Sequence, residues 1–181
     1  MHFKFKINEN NEIVNYQNRG MELEHELNET NSYYKDNKMA LINKRPTPIK
    51  VVKCFNKKIS EAYFEEASTT DYYGVYKGKY IDFEAKETTS KTSFPLANLR
   101  ENQIEHIKDV IQNKGLSFLI VSFTDIEKYF LLLGKDLINF IDLDERKSIP
   151  LAYFKEKGFE IKRGLIPPLD YLAVLDKIVE F

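Results

Sequence analysis

Apolar positions along the chain fall into two patterns, helical spacing and short continuous runs. Helical spacing predicts a first helix within "NRGMELEHELNETNSYYKDNK", where the apolar positions are Met21, Leu23, Leu27 and Tyr34. The run "LSFLIVSF" at 116–123 is typical of a buried strand, and "KYFLLLG" predicts another. "SFPLANLRENQIEHIKDVIQNKG" predicts a helix capped by Asn98, and "KDLINFID" and "PLDYLAVLDKIVEF" predict two more.

The first third of the chain adds extended segments. "MALINK" and "IKVVKCF" predict two strands separated by the stiff "RPTP". "KKISEAYFEEAS" fits either a short helix or part of an extended projection, and "YYGVYKGKYIDFEAK" predicts a hairpin. The order helix, strands, hairpin, helix, strand, strand, helix indicates a mixed α/β domain with a central sheet.

The hairpin register brings three charged side chains to one face. With a turn centred on Lys77-Gly78 and an even loop, Asp71 lies opposite Glu84, and their Cβ atoms are about 5 Å apart. Lys86 shares that face because strand side chains alternate with period two. Two close carboxylates repel, and a divalent cation relieves that repulsion. The lysine can orient water or stabilise charge on a phosphate. The alternative is a hairpin edge with solvated charges, including Asp82, and an odd loop would shift the register.

Composition narrows the class of protein. The 181 residues and 43% hydrophobic content predict one folded domain, with residues 1–17 as a loose arm. We expect a cytoplasmic protein without a membrane span or secretion signal, and the single Cys54 to be a small buried side chain. Net charge is −1, but residues 38–58 hold seven Lys or Arg and no acid. That segment is either a phosphate-tracking surface or a pair of strands with solvated lysines. The three histidines lack zinc-ligand spacing with the cysteine.

Asp71 followed by Glu84-Ala85-Lys86 resembles the D…(D/E)xK signature of restriction-endonuclease-like nucleases. More narrowly, the chain resembles the RecU family of Holliday junction resolvases from about residue 18 to its end. The resemblance lies in "NRGMELEHELNETN", "KRPTP", "EAYFEEASTTDYYGVYKGKYIDFEAKET", "KTSFPL", "QIEH" and "RKSIP". It implies a restriction-endonuclease-like mixed central sheet flanked by helices, a single nuclease domain over 18–181, and a projecting stalk at about 53–70.

The resemblance also implies roles for individual residues. Asp71 and Glu84 would bind the metal, and Lys86 would stabilise the transition state. Thr69 in "STTD" and Gln103 in "QIEH" would complete the metal site. Thr69 follows from the resemblance alone, since a strand-edge hydroxyl is otherwise ordinary.

Further residues are candidates for accessory roles. Glu24, or alternatively Glu29, could bring a helical carboxylate to the metal, although both could be plain helix-surface acids. The implied stalk enters the junction centre, and its basic residues are Lys57 and Lys58. Its aromatic residues Phe55, Tyr63 and Phe64 could contact bases, but we expect them to pack within the stalk. Lys44 and Arg45 are candidate contacts to the DNA backbone. The stalk and the arm are shorter than the family pattern implies, which leaves the stalk contacts open.

The function implied by the resemblance is paired, symmetric nicking of four-way DNA junctions in recombination and repair. It implies a homodimer, Mg²⁺ with Mn²⁺ as a substitute, and contacts with RecA and the RuvAB branch-migration motor. One alternative is a duplex-cutting restriction or repair nuclease of the same fold. Another is a non-catalytic DNA-binding modulator of the recombinase, against which the intact Asp71, Glu84 and Lys86 argue.

Overall fold

A computed structural model describes residues 21–64, 69–143 and 146–180. The predicted arm at 1–17 lies outside these residues. The central sheet has six strands: β1 (Leu41–Lys44), β4 (Tyr72–Tyr76), β5 (Lys79–Thr88), β7 (Leu116–Phe123), β8 (Lys128–Leu133) and β10 (Phe159–Ile161). Their order is β1-β4-β5-β7-β8-β10. β5 and β7 run parallel, and the other neighbouring strands run antiparallel.

Helices cover both faces of this sheet. Within the described ranges the α-helices are α1 (Met21–Asp36), α2 (Glu101–Gln112), α3 (Gly134–Leu143), α4 (Leu151–Lys157) and α5 (Tyr171–Ile178). One buried cluster joins Leu27 of α1 and Leu172 of α5 to Phe83 of the sheet. The other joins Ile107 of α2 and Leu137 of α3 to Leu119. The predicted mixed α/β class, with a central mixed sheet flanked by helices, is confirmed.

The connection between β4 and β5 fixes the register that the sequence predicted. Lys77 and Gly78 both have positive φ, 48° and 78°, as a two-residue type I′ turn requires. The ladder pairs Tyr76 with Lys79 and runs to Tyr72 with Phe83. The predicted even register is therefore confirmed. Alternate residues of β5 face the two layers, so Ile81 and Phe83 are fully buried, and the Phe83 ring stacks on those of Tyr72 and Phe118.

A second hairpin stands apart from the central sheet. β2 (Ile49–Phe55) and β3 (Lys58–Phe64) form their own two-stranded sheet, and every residue of β2 is exposed. The ambiguous segment "KKISEAYFEEAS" is therefore a strand in its first part, while residues 65–68 lie outside the described residues. The expected stalk at 53–70 overlaps this hairpin, which begins earlier, at Ile49.

The exposed hairpin overturns two expectations about packing. Cys54, predicted to be buried, is exposed. Phe55 is 76% exposed and Tyr63 51% exposed, so neither ring is packed inside the stalk as expected. The physical reason is the same in each case: among the described residues, no helix or second sheet covers the hairpin. The side chain of Phe64 lies outside them.

Helix boundaries and small elements differ from the sequence prediction. α2 begins at Glu101 with Arg100 as its N-cap, so the prediction of Asn98 as the cap was wrong. The residues before it form β6 (Ser93–Pro95) and a short 3₁₀ turn, because β6 pairs with β9 (Ser148–Pro150) from far along the chain. α4, β9 and β10 were not predicted. Among the described helices, none is long and apolar enough to cross a membrane.

Candidate active site

The β4–β5 hairpin brings the two predicted acids together. Asp71 directly precedes β4, one position beyond the last ladder pair, Tyr72 with Phe83. Its Oδ2 accepts a hydrogen bond of 3.1 Å from the backbone N–H of Ala85, the residue after Glu84. The Asp71 carboxylate is thus tied to the strand that carries Glu84 and Lys86.

The two carboxylate oxygens of Glu84 differ in their hydrogen bonding. Its Oε1 accepts hydrogen bonds from Lys86 Nζ and, at 2.6 Å, from Gln103 Nε2. Its Oε2 is buried and has no hydrogen-bond partner among the residues that the structure describes. A buried acceptor without a partner carries a desolvation cost, which a cation at that oxygen would relieve.

The burial of Glu84 shows that this is not a solvated edge. The side chain is fully buried, and burial raises the pKa of Glu84 to about 7, with the Asp71 carboxylate raising it further and Lys86 opposing the shift. Asp82, also expected to be solvated in the alternative interpretation, is fully buried too. That alternative is wrong, because helix α2 covers this face of β5.

The donor set fits a hard divalent cation with an incomplete protein shell. Asp71 and Glu84 supply carboxylate oxygens, and one of these oxygens is open. Within residues 21–64, 69–143 and 146–180, no group of three or more His, Cys, Asp or Glu converges on one point. Mg²⁺ commonly takes one or two carboxylates and keeps water or phosphate oxygens in its other positions. The residues present therefore fit such an ion.

Of the two accessory acids, Glu24 lies near the site. A small cavity of about 50 Å³ is lined by six residues, among them Glu24, Asp71 and Glu87. Glu24 also forms an ion pair of 2.6 Å with Lys44. Glu29 instead pairs with His25 at 3.4 Å and lines a different cavity, next to Arg163. The structure thus brings Glu24, and not Glu29, towards Asp71.

Gln103 and Thr69 occupy different kinds of position. Gln103 is fully buried, and its Oε1 accepts the Arg100 N–H at 3.0 Å, which turns its amide N–H₂ towards Glu84. Thr69 is half-buried in the bend before Asp71. The next residue, Thr70, is fully buried and donates to Asp82.

A buried network around Asp82 was missed by sequence reasoning. Its carboxylate accepts hydrogen bonds from Thr70 Oγ1, from Tyr80 Oη at 2.8 Å and from Arg45 Nη2 at 2.8 Å. His106 Nε2 lies 3.1 Å from the same carboxylate. The one available signal was the period-two alternation of β5, which places Asp82 on the same face as Glu84.

The candidate DNA contacts divide into two groups. Lys57 and Lys58 are exposed at the tip of the β2–β3 hairpin, where Asn56 and Lys57 form the turn with positive φ. Lys44 is also exposed. The guanidinium of Arg45, by contrast, is directed into the protein, where it binds Asp82 and stacks on the Tyr73 ring at 4.6 Å.

Comparison with known proteins identifies the family of this chain. The family model of Recombination protein U matches residues 18–177. The chain belongs to the RecU family. One relative is Holliday junction resolvase RecU of Pediococcus pentosaceus. It is 52% identical over 173 residues, and the match covers 91% of this chain and 86% of the relative. A second, of the same name and from Lactococcus lactis subsp. cremoris, is 47% identical, covering 93% and 82%.

The comparison with solved structures gives a distant likeness. Among solved structures, the chain is similar to Hjc of Archaeoglobus fulgidus, described as a Holliday junction resolvase. The identity is 10%, the TM-score is 0.46, and the match covers 78% of this chain and 95% of that one.

Proposed function

We propose that this chain is a divalent-cation-dependent endonuclease that resolves four-way DNA junctions by paired, symmetric nicks. The observation that carries the proposal is that the Asp71 carboxylate is bonded to the strand beside Glu84, whose buried Oε2 has no partner among the described residues. Membership in the RecU family supports the choice of a branched substrate.

The proposed cation is Mg²⁺, with Mn²⁺ as a substitute, held by Asp71 and by the open oxygen of Glu84. When bound, it would neutralise the two carboxylates and stabilise the charge that develops on the scissile phosphate. Thr69 remains a proposed member of the metal site. Gln103 was expected to join it, but in the present arrangement it offers N–H rather than oxygen, so its proposed contribution is to orient Glu84.

Lys86 supplies the positive charge next to the reacting phosphate. Its Nζ is bonded to Glu84 Oε1 and its side chain is about one-fifth exposed, so it faces both the carboxylate and the surface. A lysine in that place can stabilise a phosphorane-like charge or orient an attacking water. Glu24, across the small cavity from Asp71, is the proposed accessory acid.

Selectivity for a junction would come from shape and backbone contacts. We assign the exposed β2–β3 hairpin to the junction centre, with Lys57 and Lys58 at its tip and Lys44 near its base. A homodimer would supply two active sites for the two nicks. Contacts with RecA and RuvAB, and a location in the cytoplasm with the DNA, belong to the same proposal.

The test compares a fixed four-way junction with a linear duplex of the same sequence across a Mg²⁺ titration. Both products are mapped to the nucleotide. We expect two nicks in strands of like polarity at equivalent positions, and little cutting of the duplex. Preference for the duplex would favour a duplex-cutting nuclease of the same fold, and binding without cutting at any Mg²⁺ or Mn²⁺ concentration would favour a non-catalytic modulator.

A further inference from the structure

A second buried carboxylate lies on the same strand as Glu84. Asp82 is fully buried, two residues before Glu84 and on the same face of β5. Its carboxylate is surrounded by Thr70, Tyr80, Arg45 and His106. Removing one of these donors destabilises the fold, because a buried carboxylate is then left with too few hydrogen bonds.

Arg45 connects this carboxylate to the segment that carries Asp71. Its backbone N–H donates to the Asp71 carbonyl at 2.7 Å, and its Nε donates to the Thr70 carbonyl at 3.1 Å. Its Nη2 reaches Asp82 at 2.8 Å. One residue therefore holds two consecutive carbonyls and the buried carboxylate. Asp71 precedes β4 and has no ladder pair of its own, so these contacts contribute to its placement.

The same carboxylate reaches the helix on the other side of the site. His106 lies one turn along α2 from Gln103, which donates to Glu84. The contact between His106 and Asp82 therefore bridges α2 to β5 close to the point where Gln103 meets Glu84. Asp82 thus links the Asp71 segment, the Glu84 strand and the helix that orients Glu84.

We propose that Asp82 and Arg45 form a positioning pair that holds Asp71 and helix α2 in register with Glu84. The pair touches no reacting atom, and it acts through the Thr70–Asp71 segment and through His106. This inference rests on the proposed function for its catalytic consequence, but its geometric part stands on the hydrogen bonds alone. It also assigns Arg45 a role inside the protein, in place of the DNA contact that its position before "PTP" suggested.

The test uses Asp82→Asn, Arg45→Gln, the double variant and the conservative Arg45→Lys. Asp176→Asn is the matched control, because Asp176 also accepts from a tyrosine (Tyr76, 2.9 Å) and a cation (Lys77, 2.6 Å), but on α5. For each variant we would measure the thermal midpoint, junction affinity with Ca²⁺, the nicking rate across a Mg²⁺ titration, and amide hydrogen exchange of peptides covering 69–73 and 83–88.

Loss of an outer hydrogen-bond partner commonly costs tenfold to a hundredfold in metal affinity or activity. We expect Asp82→Asn and Arg45→Gln each to lower nicking or raise the Mg²⁺ requirement by about that factor, with junction affinity within about twofold of wild type. Because the two residues act as a unit, the double variant should be little worse than either single one. Arg45→Lys should recover part of the loss, and Asp176→Asn should leave nicking unchanged.

Three results would overturn the positioning pair. The first is that the single variants fold and show wild-type nicking and Mg²⁺ dependence. The second is that the effects of the two substitutions are fully additive in the double variant. The third is a loss of junction affinity alone, which would show that Arg45 binds DNA. If Asp82→Asn does not fold, Arg45→Lys and His106→Gln carry the same readouts. If wild type cuts no junction, the proposed function fails, and hydrogen exchange still decides the pair. Faster exchange at 69–73 and 83–88 supports it, and unchanged exchange refutes it.

Discussion

At the residue scale, the site depends on a two-residue turn that brings Asp71 to Glu84 and on a helix that buries the Glu84 carboxylate. An even turn at Lys77-Gly78 was enough to place Asp71 near Glu84, since the ladder and the positive φ values follow from that turn alone. The burial of Glu84 and Asp82 could not be predicted in the same way. It depends on α2 packing over β5, a contact between segments about twenty residues apart.

The raised pKa of Glu84 predicts a pH-dependent stability in the absence of divalent metal. A carboxyl with a folded pKa of about 7 and an ordinary value of 4.5 stabilises the folded state when protonated, and this stabilisation is lost as pH rises through 7. At about 1.4 kcal/mol per pH unit, the loss is roughly 3 kcal/mol. Denaturant unfolding in EDTA should therefore show wild type weakening relative to Glu84→Gln between about pH 4.5 and pH 7. If the free energy of unfolding changes with pH in the same way for both proteins, the raised pKa of Glu84 is contradicted.

Gln103 predicts a second effect at this scale. Gln103→Glu keeps an acceptor for the Arg100 N–H but replaces the N–H₂ that faces Glu84 with a second carboxylate oxygen. Like charges at that distance repel, so we expect nicking at moderate Mg²⁺ to fall by about tenfold to a hundredfold. Gln112→Glu, at the exposed end of the same helix, is the control and should nick normally. Equal rates for the two variants would remove Gln103 from the site.

At the element scale, long periodic segments were predicted and short paired ones were not. α1, α3, β7 and β8 were predicted because their apolar patterns are strong. β6, β9 and β10 are three residues each, and β6 exists because it pairs with β9 more than fifty residues later. Local sequence carries no such information. Within the projecting β2–β3 hairpin, Cys54, Phe55 and Tyr63 were expected to be packed but are exposed, because alternating apolar residues look the same in a buried strand and in an uncovered one.

The exposed hairpin predicts a binding effect without a folding effect. The double variant Lys57→Glu, Lys58→Glu should weaken junction binding by tenfold or more at low salt. The slope of log affinity against log salt concentration should become shallower by about two, one for each lost phosphate contact. The unfolding free energy should change by less than about 0.5 kcal/mol, since both residues are exposed at a turn. Lys155→Glu on α4 is the exposed control. Filter binding across a salt series measures the effect, and equal affinities for tip and control variants would place the DNA elsewhere.

At the scale of the whole molecule, one chain carries one Asp71–Glu84 pair, whereas symmetric resolution needs two cuts. The family was identifiable from sequence because its motifs lie in order along most of the chain. The surface that joins two copies was not, because interface surfaces carry no periodic signal of their own. The proposal of a homodimer therefore makes its own prediction about products.

Mixed dimers test that proposal. Wild type and a tagged Asp71→Asn chain, co-expressed and purified through both tags, should nick only one strand of a junction. Homodimers of wild type should nick two, because each subunit would act on one strand with its own carboxylates. Denaturing gels with each strand labelled separately give the count. Two nicks per junction from the mixed dimer would show that one subunit cuts both strands.

The most direct test of the shared cation is the comparison of Asp71→Asn and Glu84→Gln with wild type on a fixed four-way junction, with Mg²⁺ titrated and nicks mapped. We predict that wild type makes two symmetric nicks only when Mg²⁺ is present. Both variants should lose at least a hundredfold in nicking rate while binding the junction with nearly wild-type affinity. Nicking by either variant at the wild-type rate, or equal loss of binding and cutting in both, would contradict a cation held between Asp71 and Glu84.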